Sequence, residues 1–168
     1  MRSEIIIVDN LYDNPFQYYE GFLNNQCIIT DETLGKISQI IGNPIEVMSA
    51  TNETESLPGT VAHLSCDWIA VIYLTLPIEA FGEFGIKFYS HIATGLETFP
   101  TQEEMKTYQI DESQLEQVFN SDSSLWKEYA NISVKYNRMV LFRGNRWHSY
   151  ENKLNNSMLY QKIIIRNV

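Results

Sequence analysis

The hydrophobic positions change their spacing part-way along the chain. Up to about residue 44 they recur at helical intervals, as shown by the stripe of Phe16, Tyr19 and Leu23. A second helix is predicted to begin near Asp31 and to end at 42–44, because the sequence Gly-Asn-Pro at that point interrupts helical backbone. The N-terminal quarter is therefore predicted to be mainly helical.

Short apolar segments, separated by polar or glycine-containing turns, dominate the rest of the chain. The predicted strands are 5–8 ahead of the helices and then 45–49, 61–65, 68–76, 85–91, 132–136, 138–142, 147–150 and 158–165. The run 69–74 is apolar without alternation, which is typical of a strand covered on both faces. Residues 51–59 are expected to form a polar loop, and 101–129 one or two helices. This pattern predicts an α+β domain, a β-sandwich or jelly roll buttressed by N-terminal helices.

Composition narrows the classes of partner. The 168 residues suit a single domain spanning 1–168, with 44% hydrophobic residues to supply its core. The net charge of 12 − 21 = −9 argues against nucleic acid or an anionic membrane as a partner. The apolar run at 5–8 is too short for a signal peptide or a membrane span, so a cytoplasmic protein is expected.

The chain has three histidines, His63, His91 and His148. His63 precedes the most apolar strand, and His148 begins a late one. In a jelly roll such positions can meet, and two histidines with a carboxylate form the facial triad of non-haem iron enzymes. Spacing alone leaves two interpretations open, because buried histidines with structural hydrogen bonds are also common. His91 is expected to be structural.

Four segments, in the same order along the chain, resemble the DUF6445 proteins, which are related to iron(II)/2-oxoglutarate-dependent oxygenases of the prolyl-hydroxylase type. They are VDNLYDNP at 8–15, WIAVIYL at 68–74, GIKFYSH at 85–91 with Gly95, and KYNRMVLF at 135–142 leading to Trp147-His148-Ser149. The resemblance implies a double-stranded β-helix, the cupin-like form of the jelly roll. It also implies Fe(II) held by a His-x-Asp pair and a distal histidine, with 2-oxoglutarate as cosubstrate.

By position in this resemblance, His63 and His148 correspond to the two histidine ligands. The acid expected two residues after His63 is replaced by Ser65. Asp67 has the right strand parity but lies about 13 Å along an extended chain, so it can reach the metal only if the backbone turns or bulges before it. The predicted metal set is His63, Asp67 and His148. Two protein ligands plus water, or no metal, are the alternatives.

The end that would bind 2-oxoglutarate also departs from the family pattern. Met158 stands where the resemblance implies an arginine. Lys162 shares its face of the last strand and is the candidate to hold the cosubstrate carboxylate, unless its side chain extends to the surface. Tyr73 is predicted to line the same pocket, although aromatic residues on central strands usually belong to the core.

The function predicted on this basis is an Fe(II)/2-oxoglutarate-dependent dioxygenase of the hydroxylase type. Its substrate would be a small molecule or an amino-acid side chain, bordered by the loop at 51–59. The alternative is a non-catalytic β-helix binding or assembly module that has lost the iron site. For assembly, the expectation is a homodimer.

Overall fold

A computed structural model describes residues 4–55, 60–77, 85–151 and 158–168. The strands are β1 (Ile5–Asp9), β2 (Ile45–Glu55), β3 (Trp68–Tyr73), β4 (Gly85–His91), β5 (Trp126–Ser133), β6 (Arg138–Arg143), β7 (His148–Glu151) and β8 (Met158–Asn167). The helices are α1 (Pro15–Leu23), α2 (Asp31–Ile41), α3 (Gln102–Tyr108) and α4 (Leu115–Val118), with two short 3₁₀ turns at Glu112–Gln114 and Ser123–Leu125. None of the helices in these ranges combines the length and apolarity needed to cross a bilayer.

The strands form two antiparallel sheets that pack face to face. The five-stranded sheet has the order β1-β6-β3-β8-β2, and the three-stranded sheet has the order β5-β4-β7. Every residue of β3 is buried, as expected for the apolar run in its sequence. Between the sheets lies the inter-sheet core, which includes Tyr73, Phe88, Phe142 and Tyr160.

The N-terminal helices cover the other face of the five-stranded sheet. Tyr18 of α1 and Ile37 of α2 pack in one cluster with Trp68 and Ile163. Helix α2 begins where the Thr30 side chain accepts a hydrogen bond from the backbone N–H of Thr33, and it ends at Gly42 with φ 79°. The chain therefore has the mixed α/β arrangement that its patterning predicts.

A third cluster lies on the far side of the three-stranded sheet, under the segment that carries α3 and α4. This outer aromatic cluster contains Leu96, Phe119, Trp126 and Trp147. His91 packs into it against Phe119 and Trp126.

Several predicted strand positions are wrong, among them the end of β3, which lies at Tyr73 instead of residue 76. Strand β2 continues to Glu55 instead of giving way to a loop at 51, because this edge strand pairs its polar residues with β8, as in Thr51 opposite Lys162. The predicted strand at 61–65 is a single bridge between Ala62 and His148. The strand expected at 132–136 lies earlier, at Trp126–Ser133. Residues 56–59 of the predicted loop lie outside the described residues.

Candidate functional site

His148 is the first residue of β7 and points into the inter-sheet core. Its ring packs against Phe142 and Tyr150, and its side chain is 3% exposed. Nδ1 donates a hydrogen bond to the carbonyl of Arg146 at 2.8 Å, since a carbonyl can only accept. Burial lowers the pKa of His148 to about 4, so the ring is neutral near pH 7 and Nε2 carries its lone pair.

His63 lies in a different environment. Its ring stacks on Phe99 at 4.2 Å between centroids and meets the edge of Trp147 at 4.9 Å, beside the outer aromatic cluster. Burial lowers the pKa of this histidine as well. Its Nδ1 is buried and has no hydrogen-bond partner in the described part of the chain.

The backbone register separates the two histidine rings. Ala62, one residue before His63, pairs with His148, and each donates its N–H to the other's carbonyl at 2.9 Å. Paired residues on antiparallel strands point to the same side, and neighbours along a strand point to opposite sides. The rings of His63 and His148 therefore lie on opposite sides of the paired backbones.

Asp67 is the last residue of a bend that covers residues 65–67, the kind of turn that the prediction of a metal ligand required. The bend directs the carboxylate elsewhere: Asp67 Oδ2 accepts a hydrogen bond from the backbone N–H of Asn167, at the end of β8, at 2.9 Å. Within the described ranges, no three His, Cys, Asp or Glu side chains are grouped so that they could hold a metal ion. The predicted set of His63, Asp67 and His148 is not brought together.

Lys162 points between the sheets, as alternation along β8 predicts. Its Nζ lies 3.0 Å from Glu53 Oε1 on the neighbouring strand β2, and its side chain is 23% exposed. The same Glu53 oxygen accepts a hydrogen bond from Thr51 Oγ1 at 2.8 Å. His63 and the Lys162 ammonium are both near enough to His148 for their charges to lower the pKa of that histidine further, His63 by the larger amount. The candidate anchor for a carboxylate thus already has a carboxylate partner.

Three tyrosines belong to the same group of side chains as His148, Lys162 and Glu53. We call this group the interior polar cluster; it consists of Tyr73, Tyr150, Tyr160, His148, Lys162 and Glu53. The rings of Tyr150 and Tyr160 stack at 5.1 Å between centroids. Burial raises the pKa of Tyr73 and of Tyr150 well above the usual value. The Tyr150 hydroxyl is buried and lacks a hydrogen-bond partner within the residues described here. The Tyr73 hydroxyl is also buried, but the backbone N–H of Ile86 lies near enough to lower its pKa in part.

The sequence analysis missed Tyr150 and Glu53. Tyr150 lies two residues after His148, so strand alternation alone places both side chains on one face. Glu53 fell in the stretch predicted to be a loop, which hid its register with β8. Arg146, also missed, is 1% exposed and contacts the Tyr129 hydroxyl and the Glu97 carboxylate.

Sequence comparison assigns most of the chain to one family. The profile of a family of unknown function, DUF6445, matches residues 49–158. The chain belongs to this family. The match includes His63, Asp67, Tyr73 and His148 and ends before Lys162. No curated protein sequence matches the chain.

Several solved structures have a fold similar to that of this DUF6445 protein. HygX from Streptomyces hygroscopicus, crystallised with nickel, 2-oxoglutarate and hygromycin B, has a TM-score of 0.57 at 7% identity over 99% of this chain and 84% of its own. The non-haem alpha-ketoglutarate-dependent epimerase SnoN of nogalamycin biosynthesis scores 0.60 at 10% identity, over 99% and 79%. The carbocyclase SnoK scores 0.53 at 14% identity, over 99% and 64%. At these identities the likeness shows a shared fold.

The residues of this DUF6445 protein fit the iron ligand set of such enzymes only in part. His148 fits, because a histidine that binds metal commonly donates its second ring N–H to a carbonyl. His63 is near enough to His148 to lower its pKa, but its ring packs against Phe99 and Trp147 and does not share a metal-binding group with His148 in the described residues. Asp67 does not fit because its carboxylate holds the end of β8.

Proposed function

We propose that this chain binds a small polar molecule between the sheets of a double-stranded β-helix, and that it does so without a three-residue iron centre. The observation that carries the proposal is the buried hydroxyl of Tyr150, which has no hydrogen-bond partner in the described part of the chain. A buried polar group without a partner costs about 1–3 kcal/mol, and native proteins seldom leave one in place. A bound molecule that hydrogen-bonds to the Tyr150 hydroxyl offsets that cost.

The side chains of the interior polar cluster indicate which chemical groups the ligand carries. Tyr150 and Tyr160 offer stacked rings, while Lys162 and Glu53 offer one charge of each sign. A small molecule with a planar part and hydrogen-bonding groups matches these side chains. Within this proposal Lys162 and Tyr73 remain the predicted contacts. Because Lys162 is paired with Glu53, a carboxylate such as 2-oxoglutarate has to compete with that ion pair.

The second candidate function is the Fe(II)/2-oxoglutarate-dependent dioxygenase of the hydroxylase type, acting on a small molecule. One specific observation favours it: His148 is neutral, and its Nδ1–H is already engaged by a carbonyl. Iron, when bound in such a fold, supplies the oxidising chemistry. For iron to be chelated here, the segment 63–67 has to rearrange so that His63 or Asp67 faces His148.

Anaerobic calorimetric titration separates the two candidates. Fe(II) is added to the purified protein with and without 2-oxoglutarate, and the same titrations are run on His148→Ala and His63→Ala. We expect no stoichiometric Fe(II) binding in any of the proteins. Tight 1:1 binding that strengthens with 2-oxoglutarate and is lost in both variants would overturn the proposal and establish the oxygenase.

A thermal-shift measurement with 2-oxoglutarate alone adds a test of the cosubstrate. Stabilisation without iron, absent in Tyr150→Phe, identifies the interior polar cluster as a carboxylate site. The cytoplasmic location and the homodimer stay predictions from the sequence, to be checked by fractionation and by light scattering.

A further inference from the structure

A groove of about 780 Å³ lies at one end of the five-stranded sheet, apart from the interior polar cluster. The residues around it include Arg143 at the end of β6, Arg166 near the end of β8 and Asp67 just before β3. Its volume falls within the range of about 300–1,000 Å³ that small-molecule sites occupy. The groove is thus large enough for a ligand that the function proposed above does not use.

Arg143 is held in a fixed orientation on the groove wall. Its guanidinium lies 3.9 Å from the centroid of the Trp68 ring, and Trp68 is 1% exposed. Stacking uses the flat face of the guanidinium and leaves the N–H groups, which point outward in its plane. Within the described ranges Arg143 makes no hydrogen bond or ion pair through its side chain.

Within the described residues, the lack of a carboxylate partner distinguishes Arg143 from the other cations of this acidic protein that are not exposed. The other described Lys and Arg residues that are not exposed have a carboxylate partner: Lys36, Lys87, Arg138, Arg146 and Lys162. Lys106 and Lys127, which have none in the described part of the chain, are exposed. A half-buried guanidinium with its donors unused matches a planar oxyanion, which it binds through two parallel hydrogen bonds.

The remaining charges of the groove indicate what else the ligand carries. Glu4, Asp67 and Glu104 also line it. Glu104 accepts hydrogen bonds from Thr101, yet it stays an acidic group on the wall. Three carboxylates beside Arg143 and Arg166 repel a dianion such as phosphate, and they attract a group of positive charge.

We propose that this groove binds a zwitterionic small molecule, an amino acid or a short peptide, through its carboxylate on Arg143. The ammonium group of the ligand faces the carboxylates of the same groove. The site is independent of iron and of the interior polar cluster, so it stands whether or not the function proposed above is correct.

The test is an NMR titration of the full ¹⁵N-labelled chain, which follows the side-chain Nε–H of Arg143 and the indole N–H of Trp68. The probe is dialanine. Dialanine amide removes the carboxylate, N-acetyl-dialanine removes the ammonium group, and inorganic phosphate replaces the zwitterion by a simple anion. The variants are Arg143→Gln and Arg143→Lys, with Lys106→Gln as the matched control on an exposed cation.

We expect dialanine to shift both resonances of the wild type saturably. The Kd, read from the Trp68 indole N–H in every variant, should be at least tenfold weaker in Arg143→Gln and unchanged in Lys106→Gln. Arg143→Lys keeps the charge without the two-pronged geometry, so it should bind with intermediate affinity. The amide should bind at least tenfold more weakly than dialanine, and the acetylated form several-fold. The proposal fails if dialanine gives no saturable shift, if folded Arg143→Gln or the amide binds as dialanine binds to the wild type, or if phosphate binds more tightly.

Discussion

At the scale of single residues, the two tyrosines Tyr150 and Tyr12 make a matched pair. The hydroxyls of both are buried, but the Tyr12 hydroxyl donates to Gln161 Oε1 at 2.7 Å, whereas the Tyr150 hydroxyl has no partner among the described residues. Removing a satisfied hydroxyl costs about 1–2 kcal/mol, while removing an unsatisfied one relieves a desolvation cost.

Tyr150→Phe should therefore leave the free energy of unfolding of the ligand-free protein unchanged or raise it by up to about 1 kcal/mol. Tyr12→Phe should lower it by about 1–2 kcal/mol. Urea unfolding followed by circular dichroism measures both. A loss in Tyr150→Phe as large as that in Tyr12→Phe would contradict the account of the interior polar cluster.

A second prediction at this scale concerns pH. Burial lowers the pKa of His148 from the ordinary 6.5 to about 4, so between these pH values the unfolded chain binds more protons than the folded one. Stability should fall as the pH drops from 6.5 towards 4, by about 3 kcal/mol from this histidine alone. Burial also lowers the pKa of His63 and His91, which adds to the loss.

NMR of the His148 ring checks the cause directly. Its carbon-bound proton resonances should not titrate between pH 8 and pH 5.5. A midpoint near 6.5 would show that the ring is accessible to water in the folded protein.

At the scale of the elements, the turn from β6 into β7 fixes the segment 64–67. Gly144 N donates to the Asp67 carbonyl at 3.3 Å, and Leu64 N donates to the Gly144 carbonyl at 2.7 Å. A methyl group on Gly144 would collide with Cys66 Sγ and would lie 2.6 Å from the Cys66 carbonyl oxygen. The backbone at Cys66 cannot move aside as readily as the end of a flexible side chain.

Gly144→Ala should consequently lower the free energy of unfolding by about 1–3 kcal/mol. Gly35→Ala is the control, since nothing lies within 4 Å of the added methyl group and the site is inside α2, where alanine favours the helix by about 0.5–1 kcal/mol. The midpoints of chemical denaturation of the two variants should shift in opposite directions relative to the wild type. Equal midpoints would mean that the turn adapts.

At the scale of the whole molecule, Asn137 ties the N-terminal segment to the centre of the sheet. Its φ of 62° is left-handed, and its side chain donates to the Tyr12 carbonyl and accepts from the Tyr12 N–H, both at 2.8 Å. Its backbone N–H donates to the carbonyl of Tyr73 at 2.9 Å. One residue thus joins three distant parts of the chain.

Asn137→Gly keeps the backbone freedom that the positive φ requires and removes both side-chain bonds. We expect the free energy of unfolding to fall by about 2–4 kcal/mol, because two backbone groups of Tyr12 lose buried partners. Asn25→Gly, at an exposed residue with φ 56°, should change it by less than about 0.5 kcal/mol. Differential scanning calorimetry of both variants provides the comparison, and equal melting temperatures would exclude this role of Asn137.

The features that were predictable from the sequence are local. Helical spacing gave α1 and α2, the apolar run 69–74 gave the central strand, and alternation along β8 placed Lys162 on the inner face. The family relation was also readable, because four motifs lie in the right order. The prediction of a loop at 51–55 was wrong because it relied on the polarity of these residues. An edge strand can contain Thr51 and Glu53, since Glu53 forms an ion pair with Lys162 on the neighbouring strand.

What the sequence by itself determined is the α+β domain, the family and the short set of residues that carry chemistry. Only the tertiary structure decided which of these residues meet. A bridge at Ala62 turns His63 away from His148, and the N–H of Asn167 takes the Asp67 carboxylate. The physical reason is that strand parity and backbone hydrogen bonds between distant segments set the direction of a side chain. Spacing along one chain does not contain that register.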